Sequence, residues 1–353
     1  MKSSYFHSVA EFLQSSQNKE SIKLLLIAEE CLFQHSMVQN SGMQCYGAIF
    51  PEVIYDNNHY KEGLIVLELE HKPLCIENID NALDANIDLF GISSMIVFVD
   101  GLSAHIDSFL FSIFESIDED CVLFGGGAGK LTLQQEKVIF TPSNIFQDAA
   151  LIIPLTQKLQ VGVHHGWEYL DGPFIATSTQ DNLLKKINYE DAYEVYKEVV
   201  QRDSGLIFNN DNFFEIAKSY PLGIVTMEGE VIVRDPIFTH DRALLLVGIM
   251  PENSIINILK GEKKNLIQAA KDAAKDAYEE TSNAELIFMV DCISRVLFLE
   301  SSFTQELEAV KERVGNVEVL GVLTLGEIAN NSKAYIDFYN KTCVVGAICS
   351  YKN

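Results

Sequence analysis

Short apolar runs recur along the chain and alternate with longer segments whose apolar residues fall three and four positions apart. Continuous apolar runs predict strands that are buried on both faces. The clearest are Ile22–Ala28, Gln44–Phe50, Met95–Asp100 and Leu286–Asp291. The amphipathic segments predict helices at His105–Ile117, Glu190–Val200, Ile267–Glu280 and Thr304–Arg313. This alternation indicates an α/β (α+β) protein in which sheets pack against helices.

The order of the predicted elements repeats along the chain. A strand ending in Asp, a helix, a glycine-marked strand and two further strands occur at 95–154 and again at 286–348, with a weaker copy at 22–69. A chance resemblance among sheet segments is the alternative. A genuine repeat implies duplicated units that form antiparallel-rich mixed sheets. The length of 353 residues suggests two domains, which we place at 1–188 and 189–353, just before the helix predicted at 190.

Three weaker patterns complete the prediction. Residues 1–20 predict a short amphipathic helix. The segment Trp167–Phe174 contains Gly172-Pro173 and predicts a loop. Pro251-Glu252-Asn253-Ser254 separates two apolar runs and predicts the turn of a hairpin.

Composition narrows the class of protein. The chain has 26 Lys plus Arg against 50 Asp plus Glu, a formal net charge of −24. Nucleic acids and anionic membrane surfaces both require clustered basic residues, so we expect neither as a partner. The apolar runs are far shorter than the roughly 20 residues that span a bilayer, and no signal-peptide core opens the chain. The seven Cys form no CxxC pair, which predicts reduced thiols and a cytoplasmic protein.

The glycine run Gly125–Gly129 followed by Lys130 invites a nucleotide-binding interpretation. A phosphate loop requires GxxxxGK[ST], but Phe124 stands where the first glycine belongs and Leu131 follows the lysine. Lys130 likewise replaces the last glycine of GxGxxG. The run therefore predicts a strand to which another backbone approaches closely.

Charged and polar residues interrupt apolar segments that predict sheet strands in the C-terminal half, among them Asp291-Cys292-Ile293-Ser294-Arg295. They include Arg234, Cys292, Arg295, Glu327 and Asn340. Buried charges require partners, so these guanidinium and carboxylate groups either pair with one another or bind a ligand. An Arg fork suits a carboxylate and Glu327 suits an ammonium group, which together predict an amino-acid-like pocket. An internal salt-bridge network is the alternative.

Two adjacent imidazoles, His164 and His165, end a predicted strand. Adjacent strand residues point to opposite faces and cannot chelate one ion together. A single imidazole facing a cavity would suit haem iron, and a polar strand end is the alternative. The other histidines form no HxxxH or HExxH spacing, so we expect no zinc enzyme. No GxSxG elbow or nucleophile–base spacing is found, so an enzyme using Cys292 or Glu327 is the least supported hypothesis.

Six short motifs, in order, resemble those of FIST-domain proteins over about residues 22–348. In the N-terminal half, Gly47-Ala48-Ile49-Phe50-Pro51 is followed by Gly63. The junction carries Val161-Gly162-Val163-His164-His165-Gly166-Trp167, then Ala192 and Tyr196. The C-terminal half carries Arg234-Asp235-Pro236, Cys292-x-x-Arg295, Gly326-Glu327 and Asn340-x-Thr342.

The resemblance implies a FIST-N half followed by a FIST-C half, acting as a cytoplasmic sensory protein for a small ligand, with amino acids proposed. The implied contacts are Arg234, Cys292, Arg295, Glu327 and Asn340. No catalytic activity is implied. The chain shows no attached kinase segment, so we expect it to act through a separate partner.

Some similar members bind haem b, sense nitric oxide and regulate a partner histidine kinase. For that alternative His165 is the first candidate ligand because it matches the His-Gly-Trp motif, followed by His164 and His240. The tandem His164-His165 departs from the family pattern, in which a small residue often precedes the His-Gly-Trp.

Overall fold

The computed structural model describes residues 1–15, 18–80, 87–209, 211–227, 229–279, 283–330 and 335–349. Its N-terminal half alternates short helices with strands. The elements are β1 (Ser3–Phe6), α1 (Val9–Ser15), β2 (Ile22–Ala28), α2 (His35–Ser41), β3 (Gln44–Phe50), β4 (Glu52–Tyr55), β5 (Asn58–Tyr60), β6 (Leu64–Leu69), β7 (Leu74–Ile76), β8 (Ser94–Asp100), α3 (Ile106–Phe114), β9 (Val122–Ala128), β10 (Ile139–Phe140), β11 (Ile145–Phe146) and β12 (Ala150–Pro154).

The remaining residues add the longest strands and helices. The elements are β13 (Lys158–His164), β14 (Glu168–Gln180), β15 (Leu183–Ile187), β16 (Glu190–Asp191), α4 (Ala192–Ser204), α5 (Phe213–Ala217), β17 (Leu222–Val225), β18 (Val231–Arg234), β19 (Pro236–His240), β20 (Ala243–Leu246), β21 (Ile255–Lys260), α6 (Lys263–Tyr278), β22 (Ala284–Cys292), α7 (Ile293–Leu299), α8 (Phe303–Val314), β23 (Glu318–Thr324), β24 (Glu327–Ala329), β25 (Asp337–Tyr339) and β26 (Cys343–Cys349).

Three six-stranded sheets have the same layout, in the orders β1-β6-β2-β3-β10-β11, β7-β12-β8-β9-β24-β25 and β13-β26-β22-β23-β4-β5. In each, a central strand pairs parallel with the strand that follows its helix and antiparallel with a later strand. These three units lie at 22–69, 94–154 and 284–349, where the repeating pattern predicts them. The mixed α+β architecture is confirmed.

Each unit contributes a hairpin to the sheet of another unit. The β4–β5 hairpin extends the sheet of β23, β10–β11 extends the sheet of β3, and β24–β25 extends the sheet of β9. Strands from both sides of residue 188 therefore share two of these sheets. The division into two domains stays a prediction.

The second strand of each parallel pair requires a glycine, and the reason is the same in all three units. A Cβ on Gly47, Gly125 or Gly321 would collide with a carbonyl oxygen of the adjacent strand, that of Leu25, Val97 or Met289. The glycine run thus belongs to β9, as the close-approach interpretation predicts, and its Gly127 also bonds to the backbone after β23.

Aromatic rings from all three units meet in the core. The ring centroids of Phe50 and Phe98 are 5.0 Å apart, and those of Phe124 and Phe288 are 5.6 Å apart. All four side chains are completely buried. Burial of this kind contributes about 1.5–3 kcal/mol per side chain, which holds the three sheets together.

A fourth, eight-stranded sheet lies between β13 and β22 in the chain, with the order β18-β17-β21-β14-β15-β20-β19 and β16 paired to β15. Tyr196 of α4, Phe213 of α5 and Phe208 of the segment between these helices are buried against it. Its strands β18 and β19 bring Arg234 and Asp235 towards the three-unit body, where Arg234 bonds to the carbonyl of Phe338.

Four local predictions were wrong. The segment 1–20 begins with the strand β1, and among its described residues only Val9–Ser15 is helical. The segment Trp167–Phe174 is largely strand, because β14 pairs with β21 across two register shifts. The strands flanking Pro251–Ser254 form no hairpin, since β20 pairs with β15 and β19. Ile293 to Arg295, predicted in a sheet segment, begins α7.

Candidate functional site

A cavity of about 440 Å³ lies between the three-unit body and the fourth sheet. Most of its wall is apolar, with a few polar side chains. The lining residues are Leu102, Leu131, Leu133, Phe214, Asp235, Ile237, Val247, Cys292, Ile293, Ser294, Leu297, Thr324, Leu325, Gly326 and Asn340. Ligand sites typically combine such an apolar wall with a small number of placed polar groups.

Strand register brings the polar residues of the wall together. Cys292 and Thr324 end the parallel strands β22 and β23 and are direct register partners. Asn340 follows β25, and Asp235 separates β18 from β19. Because parallel strands present their carboxyl ends at one edge of a sheet, residues distant in the chain meet here.

Asp235 occupies the polar end of the cavity and is held by two neighbours. Ser294 Oγ donates to its Oδ2 at 2.6 Å, and Lys341 Nζ lies 3.2 Å from its Oδ1. Lys341 is completely buried, donates to the carbonyl of Lys218 at 3.1 Å, and lies 5.0 Å from the centroid of the Trp167 ring. The ion pair is therefore internal, with the carboxylate at the cavity and the ammonium group behind it.

Glu327 lies directly behind the cavity wall. Its carboxyl group accepts from Thr324 Oγ1 at 2.9 Å and from the backbone N–H of Thr342 at 3.2 Å. Burial raises the pKa of this carboxyl well above its usual range. Burial, reinforced by Glu327, also raises the pKa of the Cys292 thiol, so Cys292 is a neutral thiol in the wall.

Asn340 has a buried acceptor without a donor. Its Nδ2 donates to the carbonyl of Tyr339 at 2.9 Å, which orients the amide. Its Oδ1 has no hydrogen-bond partner among the described residues, although only 1% of the residue is exposed. An unsatisfied buried polar atom is unusual in a folded protein, and here it belongs to a cavity wall.

Arg295 does not line the cavity. Its guanidinium group lies 2.8 Å from Asp291 Oδ1 and 2.6 Å from Glu306 Oε2, and it donates to the carbonyls of His165 at 2.7 Å and Leu266 at 3.1 Å. All three charged side chains are completely buried. This is the internal network that the sequence left open as the alternative to a ligand pocket.

Arg234 is likewise bonded to protein groups. It donates to the carbonyls of Ile249 at 2.9 Å, Val233 at 3.1 Å and Phe338 at 3.0 Å. Of the five predicted ligand contacts, the structure brings Cys292 and Asn340 to the cavity and places Arg234, Arg295 and Glu327 outside its lining. Sequence reasoning missed Thr324 and Ser294 as contacts. Thr324 ends the strand that pairs with the strand of Asp291, and this position would have indicated it as a contact.

The three candidate haem ligands also lie away from this cavity. Burial, with Arg295 and His164 contributing, lowers the pKa of His165 to about 4, so its imidazole is neutral. Its Nδ1 accepts the backbone N–H of Trp167 at 2.9 Å, which leaves the proton on Nε2. Neither nitrogen then offers a lone pair to iron. His164 Nε2 pairs with Asp276 at 2.8 Å, and His240 is exposed beside Asp241. These residues do not fit an axial haem ligand in this arrangement.

Comparison with known proteins identifies the class. The FIST N domain matches residues 31–190, and the FIST C domain matches residues 192–330. The chain belongs to the FIST family, whose domains are associated with sensory signal transduction. No curated protein matches the chain. Within the described residues, none of the helices is both long and apolar enough to cross a membrane.

Proposed function

We propose that this protein is a sensor that binds a small molecule in the cavity bounded by Asp235, Cys292 and Asn340. The observation that carries the proposal is the unpartnered Asn340 Oδ1 in a wall that is otherwise mostly apolar. A ligand with an apolar body and a hydrogen-bond donor would satisfy this atom. It would also fill a volume within the range of small-molecule sites.

Binding without turnover is the chemistry that the wall favours. Among the described lining residues, Cys292 is the strongest nucleophile, but burial keeps it a thiol. Among the described residues that line the cavity, none is a histidine that could act as a base for this thiol. A thiol without a base is a poor nucleophile, so we propose a binding protein rather than an enzyme.

The position of the cavity suits transmission of a signal. Leu102, Leu131 and Leu133 come from the N-terminal half, and the remaining wall residues come from the fourth sheet and the C-terminal unit. A ligand that contacts the N-terminal half, the fourth sheet and the C-terminal unit would favour the arrangement in which these three parts are closest together. A separate partner would read that change. A cytoplasmic setting is part of the proposal and agrees with seven free cysteines.

Haem binding with nitric oxide sensing and regulation of a histidine kinase is the competing proposal. The tautomer of His165 and the pairing of His164 argue against it. An absorption spectrum after addition of haem tests it directly. A Soret band that disappears in His165→Ala would favour haem over the small-molecule proposal.

A neutral fluorescent dye such as Nile red tests the cavity itself. Leu297 lines the cavity on α7, whereas Leu206 is 54% exposed elsewhere, so Leu297→Trp and Leu206→Trp form a matched pair. We expect saturable binding of one dye per chain, at least tenfold weaker in Leu297→Trp and unchanged in Leu206→Trp. Equal dye affinity in both variants, with native circular dichroism, would refute the cavity as the binding site.

A further inference from the structure

The described cavity wall carries a single charged side chain. Asp235 is that residue, and no Arg, Lys or His accompanies it in the lining. The nearest ammonium group, that of Lys341, already pairs with Asp235 from behind. A ligand carboxylate would therefore enter beside a carboxylate and find no free cation, which is strongly unfavourable in a buried site.

The hydrogen-bond inventory points in the same direction. The hydroxyl hydrogen of Ser294 is used on Asp235, and that of Thr324 is used on Glu327 or on the carbonyl of Asp291. The Cys292 thiol bonds to Glu327. The Ser294 and Thr324 hydroxyls are thus left with oxygen lone pairs as acceptors, in addition to the free Asn340 Oδ1. The polar end therefore has more acceptors than donors.

We propose that the ligand of this cavity is a small primary amine with an apolar body, an inference that rests on the proposed function. An ammonium group supplies three donors and no acceptor, which matches the acceptor-rich end of the cavity. Its positive charge complements the Asp235 carboxylate of the wall. The leucine and isoleucine side chains of the wall surround the body.

This assignment differs from the amino-acid ligand that the residue pattern predicts. An amino acid would need an Arg fork for its carboxylate, and Arg234 and Arg295 are both bonded to protein groups. The two ligand classes share the ammonium group and differ only in the carboxylate. Compounds that share a similar aliphatic chain and differ only in their polar group can therefore distinguish the two ligand classes.

Displacement of Nile red by four compounds with similar aliphatic bodies provides the test. We expect hexylamine to displace the dye at concentrations at least tenfold lower than 1-hexanol, and hexanoate and norleucine to be weaker than hexanol. Asn340→Leu, which has nearly the same side-chain volume, should weaken hexylamine about tenfold or more relative to 1-hexanol, with both displacements referred to the dye affinity measured for that variant.

Each result has a distinct meaning. If norleucine or hexanoate binds most tightly, or hexanol equals hexylamine, the amine assignment is overturned while the cavity remains the site of dye binding. If hexylamine is unaffected by Asn340→Leu, the assignment also fails. If the dye itself does not depend on Leu297, the proposed function and the amine assignment fall together.

Discussion

Removing the Arg295 side chain should destabilise the whole protein rather than only a binding site. The guanidinium group pairs with both Asp291 and Glu306 and supplies donors to two backbone carbonyls, all in a completely buried setting. Arg295→Met would leave two adjacent buried carboxyl groups without a cation. The same change would leave the carbonyls of His165 and Leu266 without these donors.

The size of the effect follows from these contacts. Breaking a buried ion pair costs about 3–5 kcal/mol, and an orphaned buried carbonyl adds about 1–3 kcal/mol. Because such terms are not additive, we expect a loss of about 4–6 kcal/mol in the free energy of unfolding. This is a large part of the roughly 5–15 kcal/mol that a typical protein has.

Equilibrium unfolding in urea measures this loss, and Arg242→Met is the matched control. Arg242 pairs with Asp191 at 3.2 Å on the surface, where its side chain is 67% exposed, so its removal should cost under about 1 kcal/mol. Adding Glu306→Leu to Arg295→Met should recover at least about 1 kcal/mol, because it removes one uncompensated carboxyl group. A loss for Arg295→Met within about 1 kcal/mol of the Arg242→Met value would refute the internal network.

Three further predictions concern single residues. The pKa of His165 is lowered to about 4, so as pH falls the unfolded state binds this proton before the folded state does. The free energy of unfolding should therefore decrease by about 2 kcal/mol between pH 7 and 5. Urea titrations of His165→Gln should lack this pH-dependent loss. Gly125→Ala should prevent soluble folding, because the new Cβ would collide with the Val97 carbonyl; a native circular dichroism spectrum would contradict this. Cys292 should resist a maleimide at pH 8 in the folded protein and react in urea, as mass spectrometry can show; rapid native labelling would contradict the raised thiol pKa.

The main strands could be predicted because their burial on both faces leaves a continuous apolar run. Ile22–Ala28 and Gln44–Phe50 agree with the structure to the residue. The strand at Trp167–Phe174 could not be predicted, because Gly172-Pro173 and several polar residues interrupt its apolar pattern. Its pairing with β21 also depends on residues that are distant in the chain. The exchange of hairpins among units is also a long-range property that periodicity does not contain.

The candidate site was predictable only in part, for a related reason. The pattern of polar residues in apolar segments marked Cys292 and Asn340, which line the cavity. The same pattern marked Arg295, but a buried arginine looks alike in sequence whether it meets a ligand or a carboxylate. Its partner Glu306 lies in a predicted amphipathic helix, where a glutamate is expected to be exposed, and only packing shows that it is buried.

A crystal structure of the protein grown with hexylamine would test the binding site most directly. We expect the aliphatic chain to lie among the apolar residues of the wall, with its nitrogen about 3 Å from Asn340 Oδ1. Density for the amine at another location, or in this cavity with the nitrogen turned away from Asn340 and Asp235, would contradict it.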